Sequence, residues 1–199
     1  MIHHITQGRM NPVHAGHELV INQVRNAAGK NGHTIILTGS HDPKKNPLTP
    51  EQKLKHAKRA FPGANIITAT KEHPTLLHQL SRLHSNGVTD LHMHVGSDRV
   101  DEFKTLLNKY NGVEGRHGYF KFNNIKIHTV GEERSDENHG VSGASASKMR
   151  AAAAAGDQTS FHSMAPSGMS EQHKAEMYDD VRRGMGIRES FSFKKFIGR

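Results

Sequence analysis

Gly8-Arg9-Met10-Asn11-Pro12-Val13-His14-Ala15-Gly16-His17 separates a strand-like opening run from an amphipathic helical stretch. Two histidines three apart, with a glycine between them, therefore stand where a strand hands over to a helix. A helix start carries free backbone N–H groups and the positive end of the helix dipole, so it favours negative charge. A histidine pair there can donate hydrogen bonds to a phosphate. Gly16 is costly inside a first helical turn, and close approach of a ligand to the backbone would explain it. Two other readings stand beside this one. Histidines at this spacing share a helix face and could hold a metal, but no nearby cysteine or obvious carboxylate supplies a third ligand. The stretch could also be an incidental polar helix start.

Working outward, residues 2–8 predict a strand and residues 15–29 a helix, with Leu19, Val20, Val24 and Ala27 or Ala28 at helical spacing. Thr34 to Thr38 is a short apolar run of the kind buried in parallel sheets. Thr49-Pro50-Glu51-Gln52 predicts a helix start, with Thr49 as cap, Pro50 at N1 and Gln52 completing a capping box. Strands are expected at 65–69 and 90–95, and helices at 75–85 and from 96–98 through Leu107. The segments 119–122 and 125–128 could form one strand or two. Three helical pieces follow, at 145–155, 157–164 and 170–184, then a basic-aromatic tail at 190–199. The alternation predicts an α/β fold, a Rossmann-like doubly wound parallel sheet with a small C-terminal helical appendage. The expected division is a core at 1–150 and an extension at 151–199. Ligands bind such sheets beyond the carboxyl ends of the strands, where residues 8–17, 39–40 and 96–98 all fall.

Composition bounds the rest. The chain has 199 residues, 34% of them hydrophobic, and a mean hydropathy of −0.69. No apolar run approaches the roughly 20 residues of a membrane span. There are no cysteines, which excludes disulfides and thiolate metal sites, and a cytoplasmic location is expected. The net charge of +8 suits phosphate-bearing partners. The basic residues are dispersed, with no arginine-rich arm, so nucleic acid is not the expected partner. His92 and His94 share one face of the fourth predicted strand, and His3 and His4 lie on the first. Sheet burial would leave such histidines neutral and hydrogen-bonded.

Gly8 to His17 resembles the GxFxPxHxGH signature of the HxGH nucleotidyltransferase superfamily, with Met10 at the place where an aromatic is common. Ser145-Ala146-Ser147-Lys148-Met149-Arg150 resembles that family's S-x-T-x-x-R segment, with Ser147 at the Thr place. As chemistry, that segment offers hydroxyls and amides at a helix start and a guanidinium that can grip phosphate through two bonds. A plain serine-capped surface helix would look the same in isolation. Asn46 to Lys53 is similar to the NPFTxxER segment of archaeal-type nicotinamide mononucleotide (NMN) adenylyltransferases, with Lys53 at the Arg place. Gly96-Ser97-Asp98 resembles the G-x-D turn of bacterial relatives, and could contact a ribose or simply cap a helix.

The resemblance implies transfer of AMP from ATP, carried with Mg²⁺, to a phosphorylated acceptor, with NMN giving NAD as the first candidate. It implies that His14, His17 and Arg150 act at the triphosphate. Gly8, Arg9, Met10, Asn11, Gly16, Gly96, Asp98, Ser145 and Ser147 are then nucleotide-binding, and no residue is a protein-held metal ligand. The cytidylyl-transferring branch typically has an RTxGISTT-like segment. The stretch from His139 to Ser145 lacks its Arg-Thr, which favours ATP over CTP. A non-catalytic nucleotide-binding module on the same fold is the alternative, and self-association is common in the family. Many relatives stack the nicotinamide on Trp. This chain has none, so either Tyr110, Tyr119 or Phe120 substitutes or the acceptor is a different one.

Overall fold

The computed structural model describes residues 1–130 and 144–187. The tail at 190–199 and most of the 139–145 stretch lie outside the described residues. Five strands, β1 (Ile2–Gly8), β2 (Gly32–Leu37), β3 (Ile66–Thr68), β4 (Asp90–Val95) and β5 (Asn124–Thr129), form one parallel sheet in the order β3-β2-β1-β4-β5. The chain steps outward from β1 to β3 and then returns to place β4 on the other side of β1. That reversal opens a crevice at the carboxyl ends of β1 and β4.

Helices cover both faces. α1 (Gly16–Ala28) and α2 (Pro50–Ala60) lie on one face, α3 (Leu76–Ser85) and α4 (Val100–Tyr110) on the other, and α5 (Ala146–Ala155), α6 (Gln158–Met164) and α7 (Glu171–Gly184) join the α1–α2 side. The interior strand β2 is apolar on both faces for this reason. Ile35 and Leu37 enter the α1–α2 core, and Ile36 enters the α3–α4 core. α2 starts as predicted: Thr49 and Gln52 exchange both capping-box bonds and Pro50 opens the helix, a cap worth about 1 kcal/mol.

The helices after residue 150 share the α1–α2 core. Met149, Phe161, Met177 and Val181 pack with Ile21, Val24 and Ala57. A Cβ on Gly184 would stand 2.0 Å from the Pro47 carbonyl oxygen, and one on Gly168 2.7 Å from that of Ala60. α7 is also pinned to α2 by charge: Lys55 bonds Glu176 at 2.7 Å and Asp180 at 3.1 Å, and the buried His56 bonds Asp180 at 2.8 Å.

Two sequence expectations change. Residues 119–122 are not a strand; Phe120 and Phe122 plug the α3–α4 core and only β5 follows. The buried stripe of α1 is Ile21, Val24 and Ala28, while Leu19 is 51% exposed. A 3.6-residue period fits either phase, and contact with the sheet selects one.

On the α1 side of the sheet, β1, β4 and β5 present a polar cluster. His4 Nδ1 lies 3.0 Å from His94 Nε2, and His92 Nδ1 3.0 Å from His128 Nε2. Burial, followed by the neighbouring histidines, pushes His4 and His94 down to about 4, so both are neutral near pH 7. Among the described residues no group of three or more His, Asp or Glu is arranged to hold a metal ion, and no helix is long and apolar enough to cross a membrane.

Candidate functional site

Gly8 closes β1, and its carbonyl accepts the Thr38 N–H at 3.1 Å, tying the ends of β1 and β2 together. Met10 then turns the chain in the left-handed region, at φ 44°. Its side chain is buried in the α1–α2 core. The position therefore supplies packing, and no ring for stacking. Asn11 braces the next loop from both ends of its amide: Nδ2 donates to Leu48 O at 3.0 Å and Oδ1 accepts from Leu48 N at 2.9 Å.

The two histidines follow at the start of α1. Gly16 N–H donates to His14 Nδ1 and His14 N–H donates to His17 Nδ1, each at 3.0 Å. An imidazole nitrogen that accepts a bond carries no proton, so in both rings the proton sits on Nε2. The rings lie together, with centroids 3.8 Å apart. A Cβ on Gly16 would come within 2.8 Å of His14 Cε1 and 2.9 Å of Nδ1. The glycine makes room for the His14 ring itself.

The second motif arrives from the far end of the chain. Ser145 caps α5 by accepting the Lys148 N–H at 3.1 Å. Arg150 donates from Nη1 to the Asn11 carbonyl at 2.8 Å and from Nη2 to Ser147 Oγ at 3.1 Å. The guanidinium thus joins residues 8–17 to residues 145–150 directly. Burial first and the Arg9 charge second pull its pKa down, with Asp42 acting the other way.

One further cation belongs here. Lys53, on α2, is 1% exposed, and its ammonium donates to the Thr38 carbonyl. No carboxylate among the described residues pairs with it. Burial, then Arg9, push its pKa down to about 8. The nearby Asp42 carboxylate is engaged by the Lys44 and Lys45 N–H groups, at 3.0 and 2.7 Å, and by the Asn46 amide at 2.6 Å. Arg9, Lys53 and Arg150 therefore crowd positive charge at the carboxyl ends of β1 and β2, an arrangement that an anion relieves. The resemblance at Asn46 to Lys53 was the sequence signal for this lysine; its burial had none.

Gly96 and Asp98 sit at the carboxyl end of β4, in the turn Ser97–Arg99 before α4. Gly96 leaves room for the Asp98 carboxylate, which a Cβ there would meet at 2.7 Å. None of the described hydrogen bonds links this turn to Arg150 or to residues 8–17. The aromatic substitutes for Trp are at the wrong place. Tyr110 ends α4 and Tyr119 and Phe120 lie in the α4–β5 connection, at the amino edge of the sheet, opposite His14 and His17.

Comparison with known proteins bears on the fold. Solved structures of TmcAL from Thermotoga maritima, one bound with alpha-thio ATP and one apo, are 13% and 11% identical to this chain, with TM-scores of 0.50 and 0.49. Each match covers 93% of this chain and 56% of the other, so this chain spans little more than half the length of that protein. No curated protein matches it in sequence. The model of the cytidylyltransferase-like family matches residues 5–134, the stretch that runs from β1 past β5. The chain belongs to the cytidylyltransferase-like family.

Proposed function

We propose that the protein transfers AMP from ATP to a phosphorylated acceptor, with NMN as the first candidate and NAD as its product. The observation that carries this is the Arg150–Asn11 bond, which brings the histidine-bearing helix start and the serine-capped helix start to one cationic crevice. An oxygen of the acceptor phosphate attacks the α-phosphorus, the bond between that phosphorus and the α–β bridging oxygen breaks, and pyrophosphate leaves with the electron pair. No covalent enzyme intermediate is needed, so the residues act by positioning and by charge.

In this reading His14 and His17 donate from Nε2 to the phosphates as negative charge builds up. Arg150, Ser147 and Ser145 hold the β and γ phosphates, Arg9 adds charge, and Lys53 faces the acceptor phosphate. Gly8, Met10, Asn11 and Gly16 shape the loop, and Gly96 and Asp98 lie where the rest of the nucleotide would reach along β4. Mg²⁺ would travel on the triphosphate, held by phosphate oxygens and water. Residues 1–150 would form the catalytic core, with the later helices bracing it.

The test is pyrophosphate release with ATP and with CTP over a panel of NMN, nicotinate mononucleotide, phosphopantetheine, FMN and glycerol 3-phosphate. Release with ATP and at least one acceptor is expected. His17→Ala and Arg150→Ala should each lower kcat by about 10²–10³. Binding of ATP without release for any acceptor would mean a nucleotide-binding module.

A further inference from the structure

The polar cluster on the α1 side of the sheet draws on three strands: His4 on β1, His92 and His94 on β4, and His128 on β5. His4 and His94 are buried. Ring centroids stand 4.6 Å apart for His4 and His92, 5.3 Å for His4 and His94, and 4.7 Å for His94 and His128. Gln23 of α1 reaches into this block. Its Nε2 lies 3.3 Å from His94 Nδ1 and donates at 3.1 Å to the carbonyl of Thr129, the last residue of β5. One amide thus bridges α1 to both β4 and β5.

The bridge dictates where the protons sit. The Thr129 carbonyl can only accept, so it fixes the nitrogen end of the amide, and His94 Nδ1 must accept the other N–H. His94 then carries its proton on Nε2, which donates to His4 Nδ1 at 3.0 Å. The bonds run one way, from Gln23 to His94 to His4, and they need both rings neutral. A proton added at His94 Nδ1 would face the amide N–H. Turning the amide to meet that proton would point Oε1 at the Thr129 carbonyl. A charged His94 therefore breaks one of the two bridge bonds in either orientation. None of the four histidines forms an ion pair among the described residues. The Asp90 carboxylate acts on His92, and it already accepts from Thr89 and Asn124. Lys126 on β5 opposes a charge on His92, and His3 and His33 oppose one on His4. From α1 come Arg25, which acts on His33, and Glu18, which is bonded to Ser167.

We propose that Gln23 and the four histidines form an acid-released latch, which holds α1 on the sheet at neutral pH and lets it lift when the histidines take up protons. The first turn of α1 carries His17, and His14 lies just before it, so release takes the histidine start away from the crevice. The latch belongs to the helix and the sheet, and it stands whether or not AMP is transferred. Its sign follows from proton linkage. Lifting α1 uncovers His94, which then titrates near 6.5, whereas under α1 burial first and the neighbouring histidines second hold it at about 4. The open form binds more protons below pH 6.5, so opening becomes about tenfold or more easier between pH 7 and 5.

Hydrogen exchange on the full chain, read peptide by peptide and corrected for the intrinsic pH dependence of exchange, tests the latch. Between pH 7 and 5 the protection of α1 in the wild type should fall about tenfold or more. At pH 5 α1 should also be about tenfold or more less protected than α3, because the latch releases one helix and not the whole fold. Gln23→Glu reverses the chemistry at His94. A carboxylate there accepts from a protonated Nδ1, so His94 holds its proton with α1 in place. In that variant the fall in α1 protection should shrink to within about threefold, and the His94 midpoint, followed by imidazole NMR, should rise by about one unit or more. A wild-type change below about threefold, equal protection of α1 and α3 at pH 5, or an unaltered pH response in Gln23→Glu overturns the inference. The two wild-type measurements need no variant, so misfolding of Gln23→Glu leaves the test intact.

Discussion

Replacing Lys53 by methionine separates stability from ligand binding at the cationic crevice. Lys53 is pushed down from 10.5 to about 8, chiefly by burial. At about 1.4 kcal/mol per pKa unit, holding the charge in the folded protein costs at most about 3.5 kcal/mol, and nearer 1–2 once solvent screening at the crevice is allowed for. Methionine keeps the stem volume and removes the charge, but the Thr38 carbonyl loses its donor, at about 1 kcal/mol. The expected result in urea unfolding at pH 7 is unchanged stability or a gain of up to about 2 kcal/mol. The pH dependence supplies an internal check. Between about pH 8 and 10.5 the unfolded lysine holds a proton that the folded one has lost, so wild-type stability rises across that window. In Lys53→Met that rise disappears. Meanwhile the loss of a charge-assisted bond to phosphate, worth about 1.5–3 kcal/mol, should weaken NMN binding by roughly 10–150-fold. A variant that loses more than 1 kcal/mol of stability and binds the mononucleotide as before would refute the placement of Lys53 as an anion ligand held at the expense of the fold.

The histidine cluster gives a second window, on the acid side and of the same sign. His4 and His94 are pushed down from 6.5 to about 4, so the unfolded chain binds more protons between those values. Stability should fall as the pH drops from about 6.5 to 4, by roughly 2 kcal/mol per histidine and by less than the sum for the bonded pair. A urea midpoint that is the same at pH 7 and pH 4.5 would contradict this. At Gly16, alanine should displace the His14 ring and not the backbone, since the added Cβ meets only that ring within 3 Å. Gly16→Ala should therefore keep Tm within about 3 °C of the wild type while lowering kcat tenfold or more; a fall in Tm with kcat intact would show that the glycine serves packing alone.

Much of this protein is legible in local sequence because the relevant forces are local. The Thr49-Pro50-Glu51-Gln52 cap, the apolar run of β2 and the alternation of His92 and His94 with Leu91, Met93 and Val95 all act through near neighbours or through the two-residue period of a strand. The resemblance of residues 8–17 and 145–150 named both halves of the crevice. Other features escape local pattern. Leu19 and Ile21 belong to two different phases of the same helical period, both of which the sequence of α1 allows, and only docking on the sheet exposes one and buries the other. Gln79 looks like one more polar residue on a leucine-rich helix, yet it is buried at a cavity wall. Lys53 stands in a helix with three other basic side chains, Lys55, Lys58 and Arg59, and nothing in that run singles it out for burial.

By itself the sequence determined the order of elements, the parallel α/β class and the residue types gathered at strand ends, because periodicity, capping and turn chemistry are encoded within a few residues. The tertiary structure decided which of those residues meet. Arg150 reaches Asn11 across 139 positions of chain, and Lys53 loses its water because α2 packs it beneath the Thr38 carbonyl. Burial and charge crowding depend on every element around a group, and so they exist only once the sheet and its helices have closed.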